Sequence, residues 1–232
     1  MALVFRDAAA DDAPAIAALM RATWIDDTVD EGRIASLIHG GLNRVTGLAL
    51  DGAQVAGFVD SFLTVGLAGV WRWEVDLLAV DAAYRGQGVA RRLIAASVAH
   101  GGARGASVAR GLIHVDNPAS ERAFAAAGFA PLSAELQLYV SAEASNGATA
   151  ADADAYIIPV ETFGYSGVWL EGAHTPAAFL AARTARTAQN VDMAGALISP
   201  AKAATAEACG YALVGAYRWW AQNLTPRPPL HG

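Results

Sequence analysis

AVDAAYRGQGVARRLIAASVA, residues 79–99, sets two glycines and flanking arginines between an apolar run and an alanine-rich helical pattern. A tight turn needs one glycine at most, so Gly86 together with Gly88 indicates a backbone that must come close to something. The first N–H groups of a helix have no intrahelical acceptor and carry the positive end of its dipole, so main chain alone can bind an anion there. Glycine removes the Cβ atoms that would hold a diphosphate away, and Arg85 and Arg91 add charge. The spacing therefore predicts a phosphate cradle between a strand ending at Val80 and a helix from about Gly88 to His100, stopped by Gly101-Gly102. Two other phosphate loops fit poorly. A dinucleotide fold wants glycine or alanine where Arg91 stands and an acid about 20 residues on, and a nucleotide-hydrolase loop wants lysine followed by serine or threonine. A glycine-rich turn that binds nothing remains the bland alternative.

Around this stretch the chain is apolar enough to bury a sizeable core: 232 residues, 54% hydrophobic and 16% charged. A net charge of −6 disfavours a nucleic-acid surface while leaving room for a local basic pocket. Cys209 is the only cysteine, which excludes an internal disulfide and a cysteine-rich metal site, and no histidine pairing suggests a metal. No stretch has the length of a signal peptide or membrane span, so a cytoplasmic protein with no membrane partner is expected.

The pattern runs strand (Leu3 to Arg6), helix opened by Asp12-Ala13-Pro14, and a second amphipathic helix through Ile34, Leu37 and Ile38. A hairpin about Asp51-Gly52 and an apolar strand from Val70 to Val80 follow. Beyond the cradle helix come a strand (Ala106 to Val115), a helix (Pro118 to Ala127) and a strand (Pro131 to Val140). This order predicts an α/β (α+β) fold, a mixed central sheet flanked by helices.

Arg85-x-x-Gly88-x-Ala90 between strand and helix resembles the acyl-CoA-binding signature of the GNAT superfamily of N-acyltransferases, and LLAVDAAY, residues 77–84, resembles that family's entry into it. NPASERAFAAAGF, residues 117–129, is similar to its second signature, and the resemblance covers roughly residues 3–140. It implies a strand that splays from its parallel neighbour at a bulge, with the pantetheine arm of acetyl-CoA inserted there. Leu78, Ala79 and Val80 would then meet the pantetheine, amides of Gly86, Gln87, Gly88, Val89, Ala90 and Arg91 would hold the pyrophosphate, Arg85 would shape the turn, and Asn117 would lie near the pantetheine. A backbone N–H at Leu78 would face the thioester oxyanion. The partner is a small-molecule or peptide amine acceptor, and no metal is implied.

An alkylammonium must lose a proton before it attacks. Glu74 is the first candidate base, where several family members carry a carboxylate, and Asp76 the second. Strand alternation puts Glu74, Asp76, Leu78 and Val80 on one face. Phe124 stands where the family often has a proton-returning tyrosine, so Tyr84, a water or unassisted thiolate departure must serve. The same departure fits a catalytically silent acyl-CoA-binding or regulatory module. Asp26, Asp27, Asp30 and Glu31 would rim the acceptor site or form a solvated face.

Residues 143–155 read as a linker between a GNAT-like domain (1–142) and a truncated second copy (156–224), and 225–232 as a disordered tail. Pro118 precedes Gly128-Phe129 by the same ten residues that separate Pro200 from Gly210-Tyr211. The second copy lacks a cradle, because Gly172-Ala173-His174-Thr175-Pro176 puts proline where an amide is wanted. Its expected roles are completing the sheet, roofing the acceptor pocket, or making a homodimer contact.

Overall fold

A computed structural model describes residues 3–25, 28–41, 43–145 and 154–224. Asp26, Asp27, most of the expected linker and the expected tail lie outside these. In chain order the elements are β1 (Val4–Asp7), α1 (Ala13–Thr23), α2 (Glu31–Gly40), β2 (Arg44–Asp51), β3 (Gln54–Val65), β4 (Trp71–Val80), α3 (Val89–Ala103), β5 (Val108–His114) and α4 (Pro118–Ala126). Then come β6 (Ala130–Pro131), β7 (Leu136–Ser141), β8 (Ala155–Glu161), β9 (Ser166–Gly172), α5 (Pro176–Gln189), β10 (Met193–Ile198), α6 (Ala203–Ala208) and β11 (Ala212–Asn223).

Helix starts follow their caps. Asp30 accepts from the N–H groups of Gly32 and Arg33, Asn117 from Ser120, and Thr175 from Ala178, with proline opening the first turns of α1, α4 and α5. One expected stop fails. α3 continues through Gly101-Gly102 to Ala103, because Gly101 faces the core, where a Cβ would come within 2.5 Å of Trp73 Cγ. This glycine exists for packing, not for termination. The expected strand from Pro131 to Val140 is likewise broken into β6 and β7.

All the strands join one mixed sheet, as expected, in the order β1-β2-β3-β4-β5-β11-β7-β10-β9-β8, with β6 on β11. From β3 to β8 this order reads as a palindrome. β4 lies parallel to β5 and β9 parallel to β10, while the remaining pairs are antiparallel. The last strand of each half is exchanged: β11 pairs β5 (Trp220 opposite Gly111), and β7 pairs β10 (Val140 opposite Gly195). The sheet therefore runs across the expected domain boundary.

α3 and α4 cover one face through Val89, Leu93, Ile94 and Phe124 against Trp73, Val75, Ala109 and Trp220. α1 and α2 cover the other with Ile16, Met20 and Ile34 against Leu48, Phe58 and Ala79. α5 and α6 cover the C-terminal strands through Phe179, Ala182 and Ala206. Each large side chain so buried contributes about 1.5–3 kcal/mol. Strands distant in pairing order nonetheless meet: Glu171 of β9 bonds Arg72 of β4 and Arg110 of β5, and Phe163 packs on Phe58. Such contacts require the sheet to curl and enclose its concave side.

Candidate active site

The cradle forms where the spacing puts it. Gly86 and Gly88 have φ of 74° and 75°, a left-handed conformation that costs a side-chain-bearing residue about 1–2 kcal/mol, and a Cβ at either would meet only open space. Gly88 caps α3, and the first helical bond of the turn runs from the Arg92 N–H to the Gly88 carbonyl. The amides of Val89, Ala90 and Arg91 therefore have no helical acceptor. A groove of about 710 Å³ lies against them, lined also by Leu78, Ala79, Val80, Arg85, Gly86, Gly88 and Asn117. Gln87 is the predicted residue outside this lining; its amide folds back onto the Ala83 carbonyl at 3.1 Å. Arg85 Nε donates to the Val80 carbonyl at 3.2 Å, which ties the turn to the strand end. Arg122 of α4, inside the second signature but not singled out there, and Trp24 at the end of α1, outside any motif, also line the groove.

Phe124 is buried and makes an edge contact with Phe129, its ring filling the space left by Gly111, so it points into the core. Tyr84 lines the groove, but its hydroxyl donates to Asp51 at 3.1 Å, at the β2–β3 hairpin outside the groove lining.

β4 carries the decisive irregularity. Against β3, Leu77 pairs Asp60 and Val75 pairs Ser61, which leaves Asp76 as an extra residue, a β-bulge. Against β5, pairing runs from Arg72 to Glu74 and stops, so the two strands part just where the bulge lies. The bulge also reverses the alternation. Trp73 and Val75 before it, and Leu78 and Val80 after it, all pack toward the α3 face. Glu74 and Asp76 line a separate cavity on the concave side. The expectation that Glu74, Asp76, Leu78 and Val80 share a face is thus corrected: one inserted residue shifts a period of two by one step.

That cavity measures about 70 Å³ and is walled from both halves of the chain. Glu74 is committed within it. Arg110 Nε reaches both its oxygens at 3.0 and 2.8 Å, and Thr64 Oγ1 donates at 2.5 Å. Glu171 binds Arg72 Nη1 and Arg110 Nη2, each at 2.7 Å. Burial alone would raise Glu171, but the Arg110 charge and the bonds from both arginines outweigh it and hold the carboxyl below its usual range. The Arg110 guanidinium also stacks 3.9 Å over Trp219.

Asp76 differs from its neighbours. It lines the cavity yet, unlike buried Glu74, remains exposed, and among the described residues it has no hydrogen-bond or ion-pair partner. Burial, with the charges of Asp60 and Glu74 adding and Arg44 opposing, pushes its carboxyl up to about 7. Asp60, fully buried beside Arg44 and Thr46, is itself raised by burial to about 6. Sequence reading missed Tyr165, Trp169, Glu171 and the two arginines, since no local spacing ties them to β4. His114 stacks edge-on with Tyr217, and His174 lies parallel to Phe179; neither is part of the groove or the cavity. Among the described residues no His, Cys, Asp and Glu cluster suits a metal ion, and no helix is long and apolar enough to cross a membrane.

A family model described as acetyltransferase (GNAT) family matches residues 11–129, just over half the chain. The chain belongs to the GNAT acetyltransferase family. Among curated protein sequences none matches this GNAT chain. Solved structures share its fold at low identity. A GCN5-related N-acetyltransferase from Sphaerobacter thermophilus aligns over 98% of each chain at 13% identity and a TM-score of 0.56. A GCN5-related glucosamine N-acetyltransferase region of a fungal multi-domain β-N-acetylglucosaminidase aligns over 95% of this chain and 38% of that one, at 11% identity and a TM-score of 0.64. An acetyltransferase of the GNAT family from Streptococcus pneumoniae aligns over 59% of this chain and 89% of its own, at 17% identity and a TM-score of 0.50.

Proposed function

We propose that this chain moves the acetyl group of acetyl-CoA onto a primary amine by direct attack in a ternary complex, with Asp76 as the base. One observation carries the reading: across the bulge where β4 leaves β5, Asp76 lines the cavity and Leu78, two residues on, lines the cradle-bearing groove. The diphosphate would rest on the amides between Gly86 and Arg91, with Arg85, Arg91 and Arg122 adding charge. Asn117 caps α4 beside the pantetheine path. Asp76 takes a proton from the acceptor ammonium, the freed nitrogen attacks the thioester carbon, a C–N bond forms, and the C–S bond breaks. The nitrogen's second proton passes to the departing thiolate, so the products are the amide and the CoA thiol and no protein acid is needed; a thiolate is a weaker base than an amine and leaves first. Glu74 holds Arg110, so we assign it a positioning role and give Asp76 precedence.

We read residues 156–224 as a truncated second GNAT-like copy beside the 1–142 unit. The palindromic strand order and the two parallel pairs support this. Between β9 and α5 only three residues intervene, against eight between β4 and α3, so the second half has no room for a cradle. The test is acetyl transfer to an amine panel by wild type and Asp76→Asn beside calorimetry with acetyl-CoA. A drop of about 10²–10⁴ in kcat/KM with cofactor affinity retained is the expected result. Tight cofactor binding with no turnover on any amine would instead favour the silent module, for which the buried Phe124 speaks.

A further inference from the structure

Resting on that reading, we propose that the acceptor is a small monoamine with an apolar stem and no acidic group, taken into the cavity shared by the two halves. Charge on the walls points to this. Arg72 and Arg110 stand against Glu74 and Glu171 in a closed set of ion pairs, with every carboxylate oxygen of the two glutamates engaged. The one charged wall group left without a counter-ion is Asp76. A cation is what the cavity lacks, and an acceptor bearing its own carboxylate would bring a second negative charge with no free arginine to meet it. Arg72 Nη2 does lack a partner, but it is buried with no surface open to the cavity, so a ligand cannot reach it without displacing the wall.

Apart from Thr64, the rest of the wall is apolar and aromatic, with Phe62, Leu112, Ile158, Tyr165, Trp169 and Trp219 among its residues. Ring faces attract a cation as well as a hydrocarbon stem. The indole N–H of Trp169 is spent within the wall, donating to the Tyr165 hydroxyl at 3.1 Å, so it needs no polar substituent on the ligand. Size argues the same way. A water requires about 10–15 Å³ of such space, so the cavity of about 70 Å³ admits roughly five to seven water-sized groups, the scale of a small amine. A wider cleft of about 590 Å³ between α2 and β8 shares Phe62, Thr64 and Val160 with the cavity and offers it a way in. Glu171, by fixing both arginines, keeps them from competing for Asp76, which makes it a positioning residue supplied by the C-terminal half.

The probes are 2-phenylethylamine and n-butylamine, with phenylalanine as the carboxylated counterpart and 2-phenylethanol as the neutral one, titrated into the full chain while tryptophan emission is read without acetyl-CoA. Saturable quenching by the amines is expected. Phenylalanine, the alcohol, and Asp76→Asn with either amine should each bind about ten-fold or more weakly. Equal binding of phenylalanine, indifference to Asp76→Asn in a variant whose circular dichroism matches wild type, or no binding of either amine overturns the proposal. Amine binding without acetyl transfer would sink the catalytic reading alone. Transfer to an amino acid or peptide without binding of these amines would sink only this one.

Discussion

Asp76 and Glu74 are two residues apart on one strand and differ in their partners and exposure. Glu74 has its charge matched by Arg110, whereas Asp76 sits unpaired near other acids with its carboxyl raised to about 7. A base works when deprotonated, so kcat/KM of the wild type is expected to rise with pH and level off above about 7, and the Asp76→Asn profile to lose that limb. The same shift has a stability consequence of fixed sign. The folded state holds the Asp76 proton at a pH where the unfolded chain has released it, so the group's contribution falls as pH climbs from about 4 through about 7. Asp76→Asn should then stabilise the protein at pH 8 by on the order of 1 kcal/mol after solvent screening, about 2–4 °C in Tm, and hardly at all at pH 4. Glu74→Gln should do the reverse. It leaves Arg110 short of a charge and costs about 3 kcal/mol by denaturant melts, with the pH limb of kcat/KM kept.

Among the elements, the β4–α3 turn and the body of α3 each depend on glycine for separate reasons. Gly86 and Gly88 need the left-handed backbone, so Gly88→Val is expected to raise KM for acetyl-CoA with kcat on saturated enzyme less affected. Gly101 needs only absence of a side chain, and Gly101→Ala should overpack Trp73 at a cost of about 1–3 kcal/mol in melts while leaving cofactor affinity alone. The cradle was readable because every group it uses lies within one short segment, as was the proline-opened start of α1. The bulge at Asp76 was not. It arises from how β4 matches β3 across the sheet, and regular alternation through it sent Leu78 and Val80 to the wrong face. Gly101 was misread as a stop because two adjacent glycines look alike until a ring from another strand is seen to lie against the first.

For the whole molecule, exchange of β7 and β11 makes the two halves one sheet. A fragment ending at residue 142 would keep β5 and β7 but lose β11 between them, together with Trp220 from the core beneath α3 and Glu171 from the cavity. It is expected to unfold without a cooperative transition and to associate through its open edges, as circular dichroism melts and light scattering would read. The echo of Pro118 and Gly128 in Pro200 and Gly210 was visible in the chain, and so were the mixed sheet and the anion-binding turn. These rest on short-range stereochemistry: periodicity, proline and glycine geometry, and unpaired amides at a helix start. Which strand closes each half, and that Tyr165, Trp169 and Glu171 stand across from Asp76, came only with the tertiary structure. Edge pairing and sheet curl are set by the burial of whole faces against one another, and no stretch of neighbouring residues encodes that by itself.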